Sequence, residues 1–352
     1  MMTLEPIIRE SIRTGASDIH LSVGIPPVLR IHGKLEKVGN YSLTAEDTES
    51  LANELLNEEE MEFFEEEGEI DVAYTFLEVC RYRVNVYREQ GNFCIALRTI
   101  TSAIPKMEDL KLPPVFKEFC KKKRGLILVT GPTGSGKSTT LASMVGYINQ
   151  IRKEHIILIE DPIEYVHTHG NSVINQRELG RDTKSFANAL RASLREDPDV
   201  ILVGEMRDLE TISTAITAAE TGHLVMSTLH TIGAAKTIDR IIDIFPPHQQ
   251  LQVRSQLSSV LEAVISQQLL PIANNRGRVV GLEIMSSTPA LRNLIREGKT
   301  HQIQNVIQTN YGIGMRTMDG SLVDLFRKGI ITKETLFEYA VDKESVKGLL
   351  SK

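Results

Sequence analysis

The segment Gly131-Pro132-Thr133-Gly134-Ser135-Gly136-Lys137-Ser138 constrains this chain more than any other. It satisfies GxxxxGK[ST] at every fixed position, and its surroundings agree with it. The apolar run Leu126-Ile127-Leu128-Val129 leads in as a buried strand, and a helix from Thr139 to Ile148 leads out. Strand, glycine loop and helix in that order make a phosphate cradle. The glycines let successive backbone N–H groups turn inward, and the helix N-terminus adds its positive end. Lys137 is expected to reach the β- and γ-phosphates of ATP, and the Ser138 hydroxyl to bind Mg2+. Pro132, Thr133, Gly134, Ser135 and Gly136, with Thr139 just beyond, complete the nucleotide contacts. A Rossmann dinucleotide loop would not demand the Lys-Ser pair.

Around this loop short β runs alternate with longer helical patterns. Gly125 to Thr130, Ile156 to Glu160, Val200 to Gly204 and Leu224 to Thr228 are nearly continuous apolar runs, as expected of strands buried on both faces of a largely parallel sheet. From Pro247 onward the pattern reads as mostly helical. Three of the strands end in polar residues, at the sheet edge where ligands bind. Asp199-Val200-Ile201-Leu202-Val203-Gly204-Glu205 ends in Gly-Glu rather than in a magnesium-binding Asp, so Glu205 suits a general base or water-orienting residue. Glu160-Asp161-Pro162-Ile163-Glu164 delivers three carboxylates in five residues, and either Asp161 or Glu164 suits holding Mg2+ through water. His223 to Thr231 encloses a strand between two histidines. Of these, His230 follows the strand end and suits a hydrogen bond to the γ-phosphate.

The first hundred residues read as a separate α+β unit. Leu4 to Arg13 is helix-like, with Leu4, Ile7, Ile8 and Ile12 on one face and Gly15 as its stop. Asp18 to Leu21 and Val28 to Gly33 are strand-like. Thr44 to Glu66 reads as one very acidic helix with a solvated face. Ile70 to Phe76, Cys80 to Tyr87 and Phe93 to Ile100 alternate as strands, giving an antiparallel sheet with covering helices. Thr101 to Pro114 carries three prolines and no sustained period, as an interdomain connection does. The organisation expected is therefore residues 1–103, a connection at 104–114, and an ATPase domain at 115–352.

Composition narrows the function. Forty basic against 46 acidic residues leave a net charge of −6, Trp is absent and aromatics are 5%. A nucleic-acid coat needs positive charge to displace counterions, and base stacking needs aromatic platforms. Cys80, Cys94 and Cys120 form no CxxC pair, so neither a disulfide framework nor a zinc ribbon is expected. No basic-then-apolar leader is visible, and no apolar run approaches the roughly 18 to 20 residues of a membrane span.

With a Walker A loop, an acidic box (Glu160 to Glu164), a Walker B strand (Val200 to Asp208) and a histidine box (His223 to Thr231) in this order, the chain resembles the type II/IV secretion ATPase family. Ala16-Ser17-Asp18-Ile19-His20-Leu21 looks like the opening of that family's N-terminal domain. Ala290-Leu291-Arg292-Asn293-Leu294-Ile295-Arg296-Glu297-Gly298-Lys299 resembles the AIRNLIREGK signature of the pilus-retraction branch, differing at Leu291. By residue pattern alone it is an amphipathic helix with Leu291, Leu294 and Ile295 inside and Arg292, Arg296 and Lys299 outside. The four-cysteine zinc insert usual in extension and secretion members is absent from this sequence.

The resemblance implies an α/β fold, with an N-terminal PAS-like α+β domain and a C-terminal RecA-like P-loop ATPase domain ending in helices. It implies a homohexameric, cytoplasmic, ATP-hydrolysing motor that powers type IV pilus retraction and twitching motility. Its partner would be the inner-membrane pilus platform protein (PilC-like), with a paralogous accessory ATPase as a further partner, and without nucleic acid or direct membrane insertion. In that family arginines of the N-terminal domain reach the phosphates. The matching segment holds Arg81, Arg83 and Arg88, with Arg98 on the next strand, and Arg83 and Arg98 stand first among them. Arg191 and Arg195 suit interface roles instead. The competing readings are an accessory retraction paralogue, an extension or type II secretion ATPase, a small-molecule kinase, which would need an acceptor pocket and an arginine-bearing lid, and a nucleic-acid translocase.

Overall fold

Period-2 alternation dominates the first hundred residues and near-continuous apolar runs dominate the next hundred and fifty, so the two stretches bury their sheets differently. A computed structural model describes residues 2–31, 33–77, 80–100, 103–273 and 277–351. Thr101 at the head of the expected connection and His32 in the second expected strand lie outside the described residues. The chain falls into two compact units, Met1–Ala103 with Glu164–Val166, and Ile104–Ile163 with His167–Lys352. Residues 104–114 group with the second unit.

The first unit runs α1 (Leu4–Thr14), β1 (Asp18–Leu21), β2 (Val28–Ile31), β3 (Lys34–Lys37), α2 (Ala45–Leu55), α3 (Glu58–Glu67), β4 (Glu69–Phe76), β5 (Cys80–Glu89) and β6 (Asn92–Ile100). Its six strands form one antiparallel sheet in the order β3-β2-β1-β6-β5-β4. One face, with Ile19, Leu21, Leu29, Tyr82, Val84, Val86, Ile95 and Leu97, packs into a core with Leu4, Ile8, Leu51 and Phe64 of the helices. The other face is polar.

Gly15 ends α1 in the left-handed conformation, as expected. Ile12 is not on the buried face: it is 43% exposed, and Ser11 is buried in its place, 2.9 Å from the Tyr82 hydroxyl. The single acidic helix expected over Thr44 to Glu66 is two helices. Asn57 breaks the run by capping α3, its side chain accepting from Glu60 N while the Glu60 carboxylate accepts from Asn57 N. That Asn-x-x-Glu pattern is a capping box, legible in sequence. Strand β3 was not expected.

The second unit runs α4 (Val115–Cys120), β7 (Gly125–Thr130), α5 (Lys137–Ile151), β8 (His155–Glu160), β9 (Val173–Glu178), α6 (Phe186–Ser193), β10 (Val200–Val203), α7 (Leu209–Glu220), β11 (Leu224–Leu229), α8 (Ala234–Asp243), α9 (Pro247–Val260), β12 (Leu261–Pro271), β13 (Arg278–Ser286), α10 (Pro289–Arg296), α11 (Ile303–Thr309), α12 (Met318–Arg327), α13 (Lys333–Tyr339) and α14 (Lys343–Leu350). The strands form one sheet in the order β13-β12-β7-β11-β10-β8-β9, parallel except for β13. Every residue of β7, β10 and β11 is buried, as a sheet covered on both faces requires. Ile127, Val129, Leu158 and Leu202 face α4 and α5; Leu126, Leu128, Ile159 and Val203 face α6 to α11.

Helices do dominate from Pro247 onward, but the sequence pattern did not show β12 and β13, whose antiparallel pairing runs from Ala263↔Ser286 to Pro271↔Arg278. Their side chains are buried on both faces along most of β12, so no alternation marks them. Strand β9, polar and at the sheet edge, was also not expected. Helix α10 buries Leu291 and Ile295, but Arg292 does not lie on an open outer face. Its guanidinium donates to the carbonyls of Ser258 and Ser259 in the last turn of α9, and to Glu262 at 2.8 Å. A cation on those carbonyls matches the negative end of the helix.

The Asp47 carboxylate accepts from Thr44 N, the Tyr41 hydroxyl, Thr44 Oγ1 and Met2 N. These bonds, led by Thr44 N, hold its pKa at about 2 instead of the ordinary 3.8. A depressed carboxylate stabilises the fold above its ordinary pKa, and that contribution is lost as pH falls through the folded value. Asp47→Ala is therefore expected to lower the melting temperature at neutral pH, with the difference from the parent shrinking between about pH 4 and pH 2. Thermal melts followed by circular dichroism across that range provide the check.

Candidate nucleotide site

Parallel pairing sets the carboxyl ends of three neighbouring strands side by side. β7 pairs β11 from Gly125↔Leu224 to Thr130↔Leu229, and β11 pairs β10 up to Ser227↔Val203. The chain therefore emerges at one edge as Gly131 after β7, His230 after β11, and Gly204-Glu205 after β10. Short bonds fix the exits: Gly131 N donates to Leu229 O at 3.3 Å, Met206 N to Thr228 O at 3.2 Å, and Thr228 Oγ1 to Gly204 O at 2.6 Å.

The loop over 131–136 adopts the cradle shape its glycines permit. Gly131, Gly134 and Gly136 all have positive φ, at 143°, 76° and 86°. At Gly131 the requirement is also steric: a Cβ would collide with the backbone oxygen of Gln267 and lie 2.8 Å from Ser135 Oγ. Helix α5 begins at Lys137, so its unpaired N–H groups open into the loop. Lys137 is buried, and its Nζ donates to Gly131 O at 2.8 Å and Pro132 O at 3.1 Å, across the mouth of the loop. Ser135 Oγ is buried with no hydrogen-bond partner among the described residues. An inward-facing ammonium, an unpartnered hydroxyl and open helix N–H groups together suit a polyphosphate. Pro132, Thr133 and Gly134 are exposed at the loop tip, and Ser138 and Thr139 are half-buried on the first turn of α5.

The Glu205 carboxylate is held from two sides. Arg207 Nε lies 2.7 Å from Oε1, and His230 Nε2 lies 3.3 Å from Oε2. The structure thus joins two residues singled out in the sequence, Glu205 and His230, and adds a third, Arg207, which sequence reasoning missed. Arg207 is exposed and lies four residues past the end of β10, where nothing in the sequence pattern marks it. Asp208, inside the Walker B segment, caps α7 instead: its carboxylate accepts from Thr211 N at 2.8 Å and Thr211 Oγ1 at 2.7 Å. His223 lies at the opposite end of β11, bound to Ala218 O at 2.9 Å.

Asp161 and Glu164 are exposed, and Glu164 groups with the first unit. Among the described residues no group of three or more His, Cys, Asp or Glu is placed to hold a metal. Mg2+ keeps several waters and takes its remaining ligands from phosphate oxygens and one or two protein groups, and Ser138, half-buried on the first turn of α5, carries a hydroxyl of that chemistry.

On the polar sheet face of the first unit, Arg83 and Arg98 are directly opposed in register. Arg98 Nε donates to Asp18 at 2.9 Å and Arg83 Nη2 to Asp71 at 3.2 Å. They border a depression of about 340 Å3 with His20, Asn85 and Ala96. Burial pushes the Asp18 pKa up, but hydrogen bonds from Arg98 and Ser17 outweigh it and the carboxyl ends below its ordinary value. Arg81, on the same strand as Arg83, opposes Thr75 of β4 on one side and Ile100 of β6 on the other. Arg88 is engaged within its own unit: it binds Glu65 through Nη2 at 2.6 Å and stacks over Phe64 and Phe93 at 5.1 and 4.9 Å. Arg191 pairs with Glu210.

A family model described as type II/IV secretion system protein matches residues 1–324. The chain belongs to that family. It is 48% identical over 339 residues to the type IV pilus retraction ATPase PilT of Pseudomonas aeruginosa, covering 96% of this chain and 98% of that protein. To the type IV pilus ATPase PilU of the same bacterium it is 39% identical, covering 96% and 89%. The crystal structure of the pilus retraction motor PilT with bound ADP superimposes with a TM-score of 0.93 at 50% identity, covering 99% of this chain and 100% of that one. The family match confirms the architecture expected from the sequence, an N-terminal α+β domain followed by a RecA-like P-loop ATPase domain. No helix among the described residues is long and apolar enough to cross a membrane.

Lys137→Ala removes the cation from the cradle. A hydrogen bond to a charged group contributes about 1.5–3 kcal/mol, so nucleotide affinity is expected to fall roughly ten- to a hundredfold or more. Titration with a fluorescent ADP analogue measures it, and unchanged affinity would overturn the assignment of the loop.

Proposed function

We propose that this protein is an ATP-hydrolysing motor that powers retraction of type IV pili. The observation that carries the catalytic part is the Glu205 carboxylate, fixed between Arg207 and His230 at the same sheet edge as the Lys137 cradle. In this reading Glu205 takes a proton from water as the water oxygen bonds to the γ-phosphorus. The bond from that phosphorus to the β–γ bridging oxygen breaks, and ADP and phosphate leave. Lys137 and the loop N–H groups stabilise charge on the phosphates, and His230 orients Glu205 and contacts the γ-phosphate. Ser138, with Asp161 or Glu164 through water, would hold Mg2+, which when bound would add positive charge beside the phosphate oxygens. Arg83 and Arg98, with Arg81 and Arg88 as secondary candidates, bring cations from the N-terminal unit of the same or a neighbouring subunit, as arginine fingers do.

The retraction assignment is supported by the higher identity to PilT than to PilU at equal coverage of this chain. We take residues 1–103 as the arginine-bearing domain, 104–114 as the connection and 115–352 as the ATPase domain of a homohexameric ring. The ring works in the cytoplasm at the pilus base, on an inner-membrane platform protein, with a paralogous ATPase as an accessory partner.

Glu205→Ala is expected to bind ATP within about threefold of the parent while kcat falls by about 10²–10⁴, the usual contribution of a general base. Loss of binding with surviving turnover would sink the role given to Glu205. ATPase activity should rise with protein concentration as rings form and should ignore added DNA; a phosphorylated small-molecule product would point to a kinase. Cells lacking the gene should keep surface pili and lose retraction, whereas bald cells would indicate extension.

A further inference from the structure

Strand β12 supplies a side chain that the catalytic description above does not use. Gln267 is 1% exposed and meets the phosphate loop at two points and helix α5 at a third. Its Nε2 donates to the Ser135 carbonyl at 2.7 Å, its Oε1 accepts from Thr140 Oγ1 at 3.1 Å on the first turns of α5, and its own backbone oxygen occupies the space beside Gly131. Ser266, next to it on β12, points to the opposite face and accepts from Gly233 N at 2.9 Å, in the loop that follows His230.

The bond to Ser135 has a directional consequence. In a trans peptide the C=O and the following N–H point opposite ways. A Ser135 carbonyl tied outward to Gln267 therefore aims the Gly136 N–H away from Gln267, into the cradle. Gly136, with φ at 86°, has no side chain to resist rotation of that peptide, and a Cβ there would sit 3.4 Å from Gln267 Nε2. Released, the peptide is free to turn, which would replace an inward N–H dipole with an inward carbonyl oxygen facing phosphate charge.

We propose that Gln267 is a positioning residue that latches the Ser135–Gly136 peptide in its phosphate-binding orientation. The inference rests on the ATP-binding reading of the loop. It concerns affinity rather than the chemical step, because Gln267 lies behind the loop and its target is a backbone group that contacts nucleotide before and after hydrolysis alike.

The test compares three variants with the parent in the full-length protein. Gln267→Leu keeps the volume and removes both bonds. Gln267→Glu keeps the acceptor for Thr140 and removes the donor to Ser135. Thr140→Val removes only the donor to Oε1. The Kd for a fluorescent ADP analogue, KM and kcat for ATP, and the nucleotide-free melting temperature are read for each. The expected result is a Kd and KM raised about tenfold in Gln267→Leu and more in Gln267→Glu, with kcat at saturating ATP within about threefold, and less than a threefold change in Thr140→Val. Unchanged Kd with a lowered melting temperature, a fall in kcat with KM unchanged, or an equal loss of affinity in Thr140→Val would each overturn the latch. Should Gln267→Leu not fold, Gln267→Glu and Gln267→Met are read in the same way. A parent that neither binds nor hydrolyses ATP, alongside an identical Lys137→Ala, would sink the ATPase reading itself; a parent that does both, with Gln267 variants of unaltered affinity, sinks only the latch.

Discussion

Gly131 lies so close to the backbone of Gln267 that no side chain fits between the end of β7 and its neighbour β12. That contact is where the nucleotide loop and the sheet become one object. Because β12 pairs in parallel with β7 up to Ser266↔Thr130, Gln267 falls directly behind the loop as it leaves the sheet. The loop's shape is then set from outside as well as by its glycines. Lys137 bridges its mouth, and α5 carries it against the sheet through Leu141, Met144, Val145 and Ile148. A densely packed interior of this kind transmits small displacements rather than absorbing them.

The same parallel order that creates the contact brings the other catalytic candidates to it. Parallel strands all present their carboxyl ends at one edge, so three segments spread over some ninety residues of chain deliver Lys137, Glu205 and His230 to that edge. β12 reaches both sides of this arrangement through adjacent residues, Gln267 to the phosphate loop and Ser266 to the loop after His230. Glu283 on β13 continues the connection. Buried, with its pKa raised by desolvation, it accepts from Ala234 N at the start of α8 and from Gln304 on α11. The antiparallel pair β12–β13 is therefore the route by which the nucleotide edge is tied to the C-terminal helices.

The N-terminal unit solves a different problem with the opposite sheet design. One face of its antiparallel sheet is closed by α1, α2 and α3, and the other is left polar, with Arg83 and Arg98 side by side and each paired to an acid. The Arg83–Asp71 pair is exposed on both sides, and such pairs contribute little to stability, about 0–1 kcal/mol, whereas Arg98 reaches an Asp18 carboxylate that is only 13% exposed. Arg88 differs, because two aromatic rings and Glu65 hold it. The net charge of −6 says nothing about this face, since it sums over the whole chain and α3 alone holds seven glutamates between Glu58 and Glu67.

What the sequence determined by itself is what can be written in short spans. The phosphate loop needs glycines, a Lys and a Ser between a buried strand and a helix, so some twenty consecutive residues suffice to declare it. The four central parallel strands are legible because full burial forces continuous apolar runs, and α1 because Gly15 stops it. Asn57 and Glu60 carried the break between α2 and α3 in plain view. Tertiary structure decided the rest. Strands β12 and β13, buried on both faces and lacking alternation, could not be told from helix by pattern. Gln267 is 132 residues from the Ser135 carbonyl it holds. Arg207 and Arg292 are unremarkable exposed-looking arginines until Glu205 and the last turn of α9 are placed beside them. A hydrogen bond is defined by distance and direction in space, and only the pairing of strands far apart in the chain brings these donors and acceptors within reach.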